Sequence, residues 1–264
     1  MYSVNQLTKH REFTFHLLRR FMRHHCPISL VVEIDVTDLM AEIQAMRDEG
    51  KRIGFVACLT KATAMTISAH PELNNRFFRG LFGPIEATYD HITCGMLAER
   101  TTESGEKIVI PLIIPNIVDR SVEELHRLIK ETKSKPLNEL SGYNQLAKVS
   151  KLPRFLMPFF HFLFRVHPRF TAAGSSTYGI SSTLVKDGVV VGGHAPANQT
   201  TFFPAGLRQR VVPIGDEICV RTIFSCVLCA EHYLVDGLAL QRASVTFRHY
   251  LEEPARLFAS NEES

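Results

Sequence analysis

The sequence lacks several features that mark common classes of protein. It has little charge of one sign: 30 Lys and Arg against 27 Asp and Glu leave a net charge of +3 over 264 residues. The basic residues are scattered, so the electrostatic footprint of a nucleic-acid binder is weak. Cysteine is sparse, with Cys26, Cys58, Cys94, Cys219, Cys226 and Cys229 all in apolar contexts. A secreted disulfide framework would be denser and would follow a signal peptide, and the opening MYSVNQLTKHREF has no apolar h-region. A reducing, cytoplasmic compartment is the expectation. Cys226 and Cys229 have C-x-x-C spacing, but inside an apparent strand, where residues three apart face opposite sides. They read as buried strand residues, and no metal is expected. The longest apolar stretch, LPRFLMPFFHFLFRVHPRF at 152–170, is bracketed by Pro158 and Pro168 and interrupted by Arg165. It falls short of the ~20 apolar residues a bilayer span requires. There is no repeat period and no low-complexity block.

The chain does have hydrophobic periodicity, within an ordinary globular composition of 45% apolar and 22% charged residues. Phe15, Leu18, Phe21 and Met22 stripe a His- and Arg-rich segment, predicting an amphipathic helix over 8–25. Ile28, Leu30, Val32 and Ile34 alternate with Ser29, Val31, Glu33 and Asp35, the period of a strand. Thr37 is placed to cap a helix to about Arg47 that Gly50 ends. GFVACLTKATAMTISAHPEL predicts a helix apolar almost all round, therefore buried, that stops before Pro71. YDHITCGMLAE and IVIPLIIPNI read as strands, the second apolar on both faces as a central strand is. Ser121 and Glu124 form a capping box for a helix to about Ser134. A loop and the Pro-rich aromatic stretch follow, and then TYGISSTLV, TFFPAGLRQRVV and EICVRTIFSCVLCA read as strands. Beyond Gly237, Leu240, Ala243, Phe247 and Leu251 line one face of a helix ending near Pro254. No boundary separates two self-sufficient cores. A single α/β domain over 1–264 is expected, with its core at 27–258 and a frayed tail at 259–264.

One motif carries chemistry. In CAEHYLVDGLAL, residues 229–240, His232 follows an apolar strand and precedes Asp236 and Gly237. EHYLVDG, with a helix ending LEEPARL, resembles the H-x-x-x-D-G signature of the chloramphenicol acetyltransferase and dihydrolipoyl acyltransferase superfamily. VVEIDVTDLM, FVACLTKATAMTISAHPELN, IVIPLIIPNIVDRSVEELHRLI and YGISSTLV resemble the same domain in the same order, so the likeness runs from about residue 27 to 258. It implies a chloramphenicol acetyltransferase-like fold: an α/β two-layer sandwich with a mixed β-sheet. It also implies a coenzyme A-dependent acyltransferase, and a homotrimer with active sites in channels between subunits. No nucleic-acid partner follows from it.

The chemistry suits the residues. A thiol is mostly protonated at neutral pH, so acyl transfer to or from coenzyme A needs a base that takes a proton and returns it. Imidazole titrates in that range, and His232 is the candidate; His70, in AHPELN, reads as structural. The tetrahedral intermediate needs an oxyanion donor. The resemblance assigns this to Ser181, with Ser182 as the fallback. It gives Asp236 a supporting role, through a salt bridge to an arginine such as Arg11 or as the cap of the following helix. Gly237 permits close approach or a positive φ at the turn, and Ser182 and Gly237 are the residues placed nearest coenzyme A. Phe159, Phe160, Phe162 and Phe164 are candidates for an apolar wall of the acceptor channel. A membrane surface met through Arg154, Arg165 and Arg169 is the weaker reading of that stretch.

Several residues depart from the family pattern. Glu231 replaces the usual Asp or His, Tyr233 replaces the usual Arg, and no N-L-G follows Ser182. With no lipoyl domain or Ala/Pro linker ahead of the core, a small hydroxyl or thiol acceptor is expected rather than a tethered lipoyl arm. The rival readings are a non-catalytic trimeric scaffold, a component of a 2-oxoacid dehydrogenase complex that accepts lipoyl groups from a separate protein, and an antibiotic-acetylating enzyme.

Overall fold

A computed structural model describes residues 25–103, 105–150, 176–181 and 199–258, together with positions 15, 19, 153, 155, 156, 159, 162 and 163. The alternation in the first strand is realised: β1 (Pro27–Asp35) exposes Ser29, Val31 and Glu33 and buries Ile34. Then follow α1 (Thr37–Asp48), α2 (Phe55–Ala69), a 3-10 turn at Pro71–Asn74, β2 (Asn75–Phe78), β3 (Ile85–Thr88), β4 (Cys94–Thr101) and β5 (Lys107–Ile114). Next are α3 (Val122–Ser134), α4 (Ser141–Ser150), β6 (Tyr178–Ile180), β7 (Thr201–Ile214), β8 (Glu217–Glu231), α5 (Gly237–Glu252) and α6 (Pro254–Phe258). Six strands form one mixed sheet in the order β1-β8-β7-β6-β4-β5, and β2 and β3 make a separate hairpin. β6 runs parallel to both its neighbours, and the other pairs are antiparallel.

The long β7–β8 hairpin turns at Gly215, whose φ of 60° suits a residue without Cβ. Its ladder shifts register between Pro204 and Gly206, which accommodates a proline that has no amide to donate. β8 is the spine of the core. Phe224, Cys226, Leu228 and Ala230 face the main apolar cluster, while Val227 and Cys229 join Phe203 in a small cluster on the other face. Phe224 meets Phe55 edge-on at 5.1 Å, and Phe202 meets Phe247 at 5.1 Å, locking α2 and α5 onto the sheet. Complete burial of each such ring contributes about 1.5–3 kcal/mol. The expected face of α5 is fully used, with Leu240, Ala243, Phe247 and Leu251 all buried.

Two polar devices fix the helices. The Lys61 side chain is wholly buried, and its Nζ donates to the carbonyls of Val118 (2.6 Å) and Arg120 (2.8 Å), tying α2 to the chain after β5. Burial holds its pKa below the usual lysine range. Ser121 and Glu124 make the expected capping box on α3.

Several expectations need correction. Thr37 does not cap α1, because Val36 occupies the cap. The Thr37 hydroxyl instead donates to Asp35 Oδ1 (2.6 Å) and accepts from the Thr222 amide (2.7 Å). β5 is an edge strand of the described sheet, not a central one. Its burial alternates, with Val109 half exposed, so apolar composition on both faces did not mean cover on both faces. The strand expected from Tyr89 begins at Cys94. The β2–β3 hairpin and α4 were not anticipated. Of the helix expected over 8–25, Phe15, Arg19 and His25 fall among the described residues, the first two helical and His25 not; its other positions lie outside them, as does the tail after Phe258.

Candidate active site

His232 stands where β8 ends. Its amide donates to the Cys26 carbonyl (2.7 Å), continuing the β1–β8 ladder by one step. The chain then turns: the amides of Leu234 and Val235 both donate to the Glu231 carbonyl at 3.0 Å. Asp236 accepts from the Ala239 amide (2.7 Å) and so caps α5. The imidazole is exposed at the mouth of this turn, and its Nδ1 lies 3.0 Å from the Val235 carbonyl oxygen. A carbonyl only accepts, so Nδ1 carries the proton and Nε2 presents its lone pair. Among the described residues Nε2 has no hydrogen-bond partner.

Glu231 and Tyr233, the two departures flanking the histidine, both have clear partners. Glu231 is 6% exposed. One carboxylate oxygen accepts from the Cys26 amide (2.8 Å), and the other lies 2.6 Å from His25 Nδ1. Tyr233 packs against Phe77 of β2 at 4.8 Å between ring centroids, and His25 meets the same Phe77 edge-on at 6.5 Å.

Ser181 directly follows β6, and its amide donates to the Phe202 carbonyl (2.9 Å). The strand expected to continue past it is described only for Tyr178–Ile180. The buried Arg76 guanidinium donates to the Ser176 carbonyl and the Gln199 side chain, which ties the chain ahead of β6 to the chain ahead of β7. Within one protomer the serine and the histidine are not brought together. Gly179 is level with Thr201 and Ile180 with Phe202, so Ser181 lies level with Phe203, which pairs with Val227 of β8. His232 lies five residues beyond Val227 in the opposite sense along the sheet. At ~3.3 Å per residue and ~4.8 Å per strand, the two are roughly 19 Å apart.

The remaining candidates divide. Asp236 is the helix cap, as one reading had it, and Arg11 lies outside the described residues. Gly237 needs correction: its φ is not positive, and an added Cβ would meet Ile28 Cδ1 at 3.7 Å, ordinary contact. It is the first residue of a helix, where most side chains fit. Phe159 is exposed and Phe162 half-buried, both in helical conformation, while Ser182, Phe160, Phe164, Arg154, Arg165 and Arg169 lie outside the described residues. His70 is structural, its Nε2 2.8 Å from the Thr246 hydroxyl. The cysteines offer no rival nucleophile in the core. Burial pushes the Cys58 and Cys94 thiols up to about 12 and raises Cys226 and Cys229. Among the described residues no three His, Cys, Asp or Glu cluster closely enough to hold a metal. Among the described residues, two clefts include neither His232 nor Ser181; one, of about 620 Å³, opens at the start of α2 between Arg47, His126 and Lys130.

A family model for 2-oxoacid dehydrogenases acyltransferase (catalytic domain) matches residues 2–143. The chain belongs to this family. It is an acyltransferase-type catalytic domain, although the matched segment stops before Ser181 and His232. The acyltransferase is similar in fold to a dihydrolipoamide acetyltransferase of Azotobacter vinelandii, with 16% identity over 97% of this chain and 94% of that one, at a TM-score of 0.71. That enzyme's catalytic mechanism was investigated through a serine, a histidine and an asparagine four residues beyond the histidine. A probable dihydrolipoamide acetyltransferase of Listeria monocytogenes gives 19% identity over 100% and 97% of the two chains, at a TM-score of 0.69. The cubic core of a pyruvate dehydrogenase multienzyme complex gives 14% over 97% and 94%, at 0.65. No curated protein matches the acyltransferase in sequence.

Proposed function

We propose that this acyltransferase moves an acyl group between coenzyme A and a small hydroxyl or thiol acceptor, with His232 as general base. The observation that carries this is the Nδ1 contact to Val235, which among the described residues leaves Nε2 without a partner on an exposed ring at the buried end of β8. Nε2 takes the proton from the attacking S–H or O–H, and the new bond forms at the acyl carbon. The oxyanion accepts a hydrogen bond from the Ser181 hydroxyl. When the intermediate collapses, the bond to the leaving sulfur or oxygen breaks, and Nε2–H returns the proton to it.

The ~19 Å between Ser181 and His232 argues that a working site takes the two groups from different subunits. A homotrimer with inter-subunit sites is the assembly this reading requires. The cubic core among its structural neighbours is compatible with such an assembly. So is the outer half of the β7–β8 hairpin, where Val211, Ile214, Ile218 and Val220 are exposed. The cysteines of the described residues are free thiols, as a reducing cytoplasmic compartment favours.

A second reading, favoured by the two dihydrolipoamide acetyltransferase neighbours, makes the acceptor a dihydrolipoyl thiol on a separate protein. Thiol release from a panel of acyl-coenzyme A donors tests the first reading, and free dihydrolipoamide as acceptor tests the second. Turnover in the wild type that vanishes in His232→Ala supports acyl transfer through this base. Undiminished turnover in that variant rules it out.

A further inference from the structure

The most unusual group near the imidazole is the carboxylate beside it. Glu231 ends a strand whose preceding five residues, Cys226, Val227, Leu228, Cys229 and Ala230, are all buried and apolar. A carboxylate in such a place costs stability unless both oxygens find donors, and here they do. Oε1 holds the Cys26 amide and Oε2 holds His25 Nδ1. Both oxygens are spent on the protein's own N–H groups, so this carboxylate is not set up to exchange protons with a substrate.

Its partners all lead back to His232. Glu231 accepts from the Cys26 amide, and the carbonyl of the same residue, Cys26, accepts from the His232 amide. The Glu231 carbonyl takes the amides of Leu234 and Val235, and the Val235 carbonyl in turn receives His232 Nδ1–H. On the other flank, His25 touches Phe77, which carries Tyr233. The imidazole is therefore bracketed on both sides by contacts that begin at one residue.

We propose that Glu231 is the positioning residue of the site, its buried carboxylate anchoring the 25–26 segment so that the following turn presents His232 Nε2. The proposal rests on His232 being the base, and it explains why the chain tolerates a buried acid there. Misplacement of a catalytic group by about 1 Å costs on the order of 10²-fold in rate, so the effect should appear in kcat rather than in substrate affinity.

The test uses the full-length assembled protein. Glu231→Ala should lower kcat about 10–100-fold while the KM for acyl-coenzyme A stays near wild type. Glu231→Gln keeps an acceptor for the Cys26 amide and should recover most of the loss. His25→Phe, which keeps the aromatic contact but removes the donor, should fall between the two. Nitrogen-15 NMR of the imidazole supplies a readout independent of turnover: His232 should carry its proton on Nδ1 in the wild type and in Glu231→Gln, and exchange between both nitrogens in Glu231→Ala. Should Glu231→Ala not fold, Glu231→Gln and His25→Phe carry the comparison. A folded Glu231→Ala with wild-type kcat and an unchanged tautomer would overturn the proposal, as would a glutamine variant as slow as the alanine one or a His25→Phe variant with wild-type kcat. A His232→Ala variant that still turns over would instead overturn the base assignment, leaving the link between residue 231 and the His232 tautomer to be judged by NMR alone.

Discussion

His232 stands just beyond the end of β8, whereas Ser181 lies level with the middle of β1 and β4, and the chain supports them differently. The histidine is held by its own protomer: its amide by Cys26, its Nδ1 by Val235, and the turn by Glu231 and the Asp236 cap. Among the described residues, Ser181 is held by a ladder bond from its amide to Phe202 at the end of a three-residue strand. A base must have the right tautomer before substrate arrives, which demands local preorganisation. An oxyanion donor need only stand where the second half of the site comes to meet it. The contrast fits a site in which the histidine end is complete within a chain and the serine end becomes functional across a boundary.

The contrast can be broken from either side. The largest effect belongs to His232→Ala, expected to lower turnover by about 10³–10⁴-fold in steady-state assays with a circular dichroism spectrum unchanged, because the ring is exposed and packs into no core. Ser181→Ala should slow turnover by about 10²–10³-fold, with coenzyme A affinity measured by calorimetry little changed. At Asp236 the two roles separate. Asp236→Ala should cost about 1 kcal/mol of stability in urea melts through loss of the α5 cap, whereas Asn caps as well as Asp and Asp236→Asn should cost little.

The smallest effect tests whether the far end of β1 belongs to the scaffold alone. Burial would raise the Asp35 carboxyl, but hydrogen bonds from Thr37 and from Arg221 (Nε to Oδ2, 2.6 Å) outweigh it, and its pKa is lowered below 3.8. A lowered carboxyl stabilises the fold above its unfolded pKa, and that contribution is lost as pH falls through the folded value. Asp35→Asn should therefore destabilise the protein by about 1 kcal/mol at neutral pH and flatten the acid limb of its stability profile, with turnover unaltered.

What the sequence made legible follows from where periodicity and local chemistry dominate. The alternation of Ile28 to Ile34, the Ser121–Glu124 box and the Leu240 to Leu251 face each specify an element through contacts within a few residues, and each is present. β5 reads as a central strand in the sequence because Val109, Pro111 and Ile113 are apolar on its outer face, and composition cannot say whether that face is covered. The β2–β3 hairpin leaves no periodic signal in the sequence, because Gly80, Gly83 and Pro84 break the pattern between two strands of only four residues. Around His232, the motif located the end of β8 and the cap at Asp236. Glu231 stood out only as a departure, since its partners His25 and Cys26 are more than 200 residues away. Gly237 invites the expectation of a positive φ because it is a glycine, and at that position it begins a helix like any other residue.

Complementation within mixed assemblies tests the central claim most directly. His232→Ala and Ser181→Ala chains, each inactive alone, are co-expressed with different tags and the mixed oligomers isolated. If each site pairs the histidine of one chain with the serine of the next, every trimer that contains both kinds of chain keeps one intact site of its three, and about a third of wild-type turnover returns. Mixed oligomers no more active than either parent would contradict a site shared between subunits.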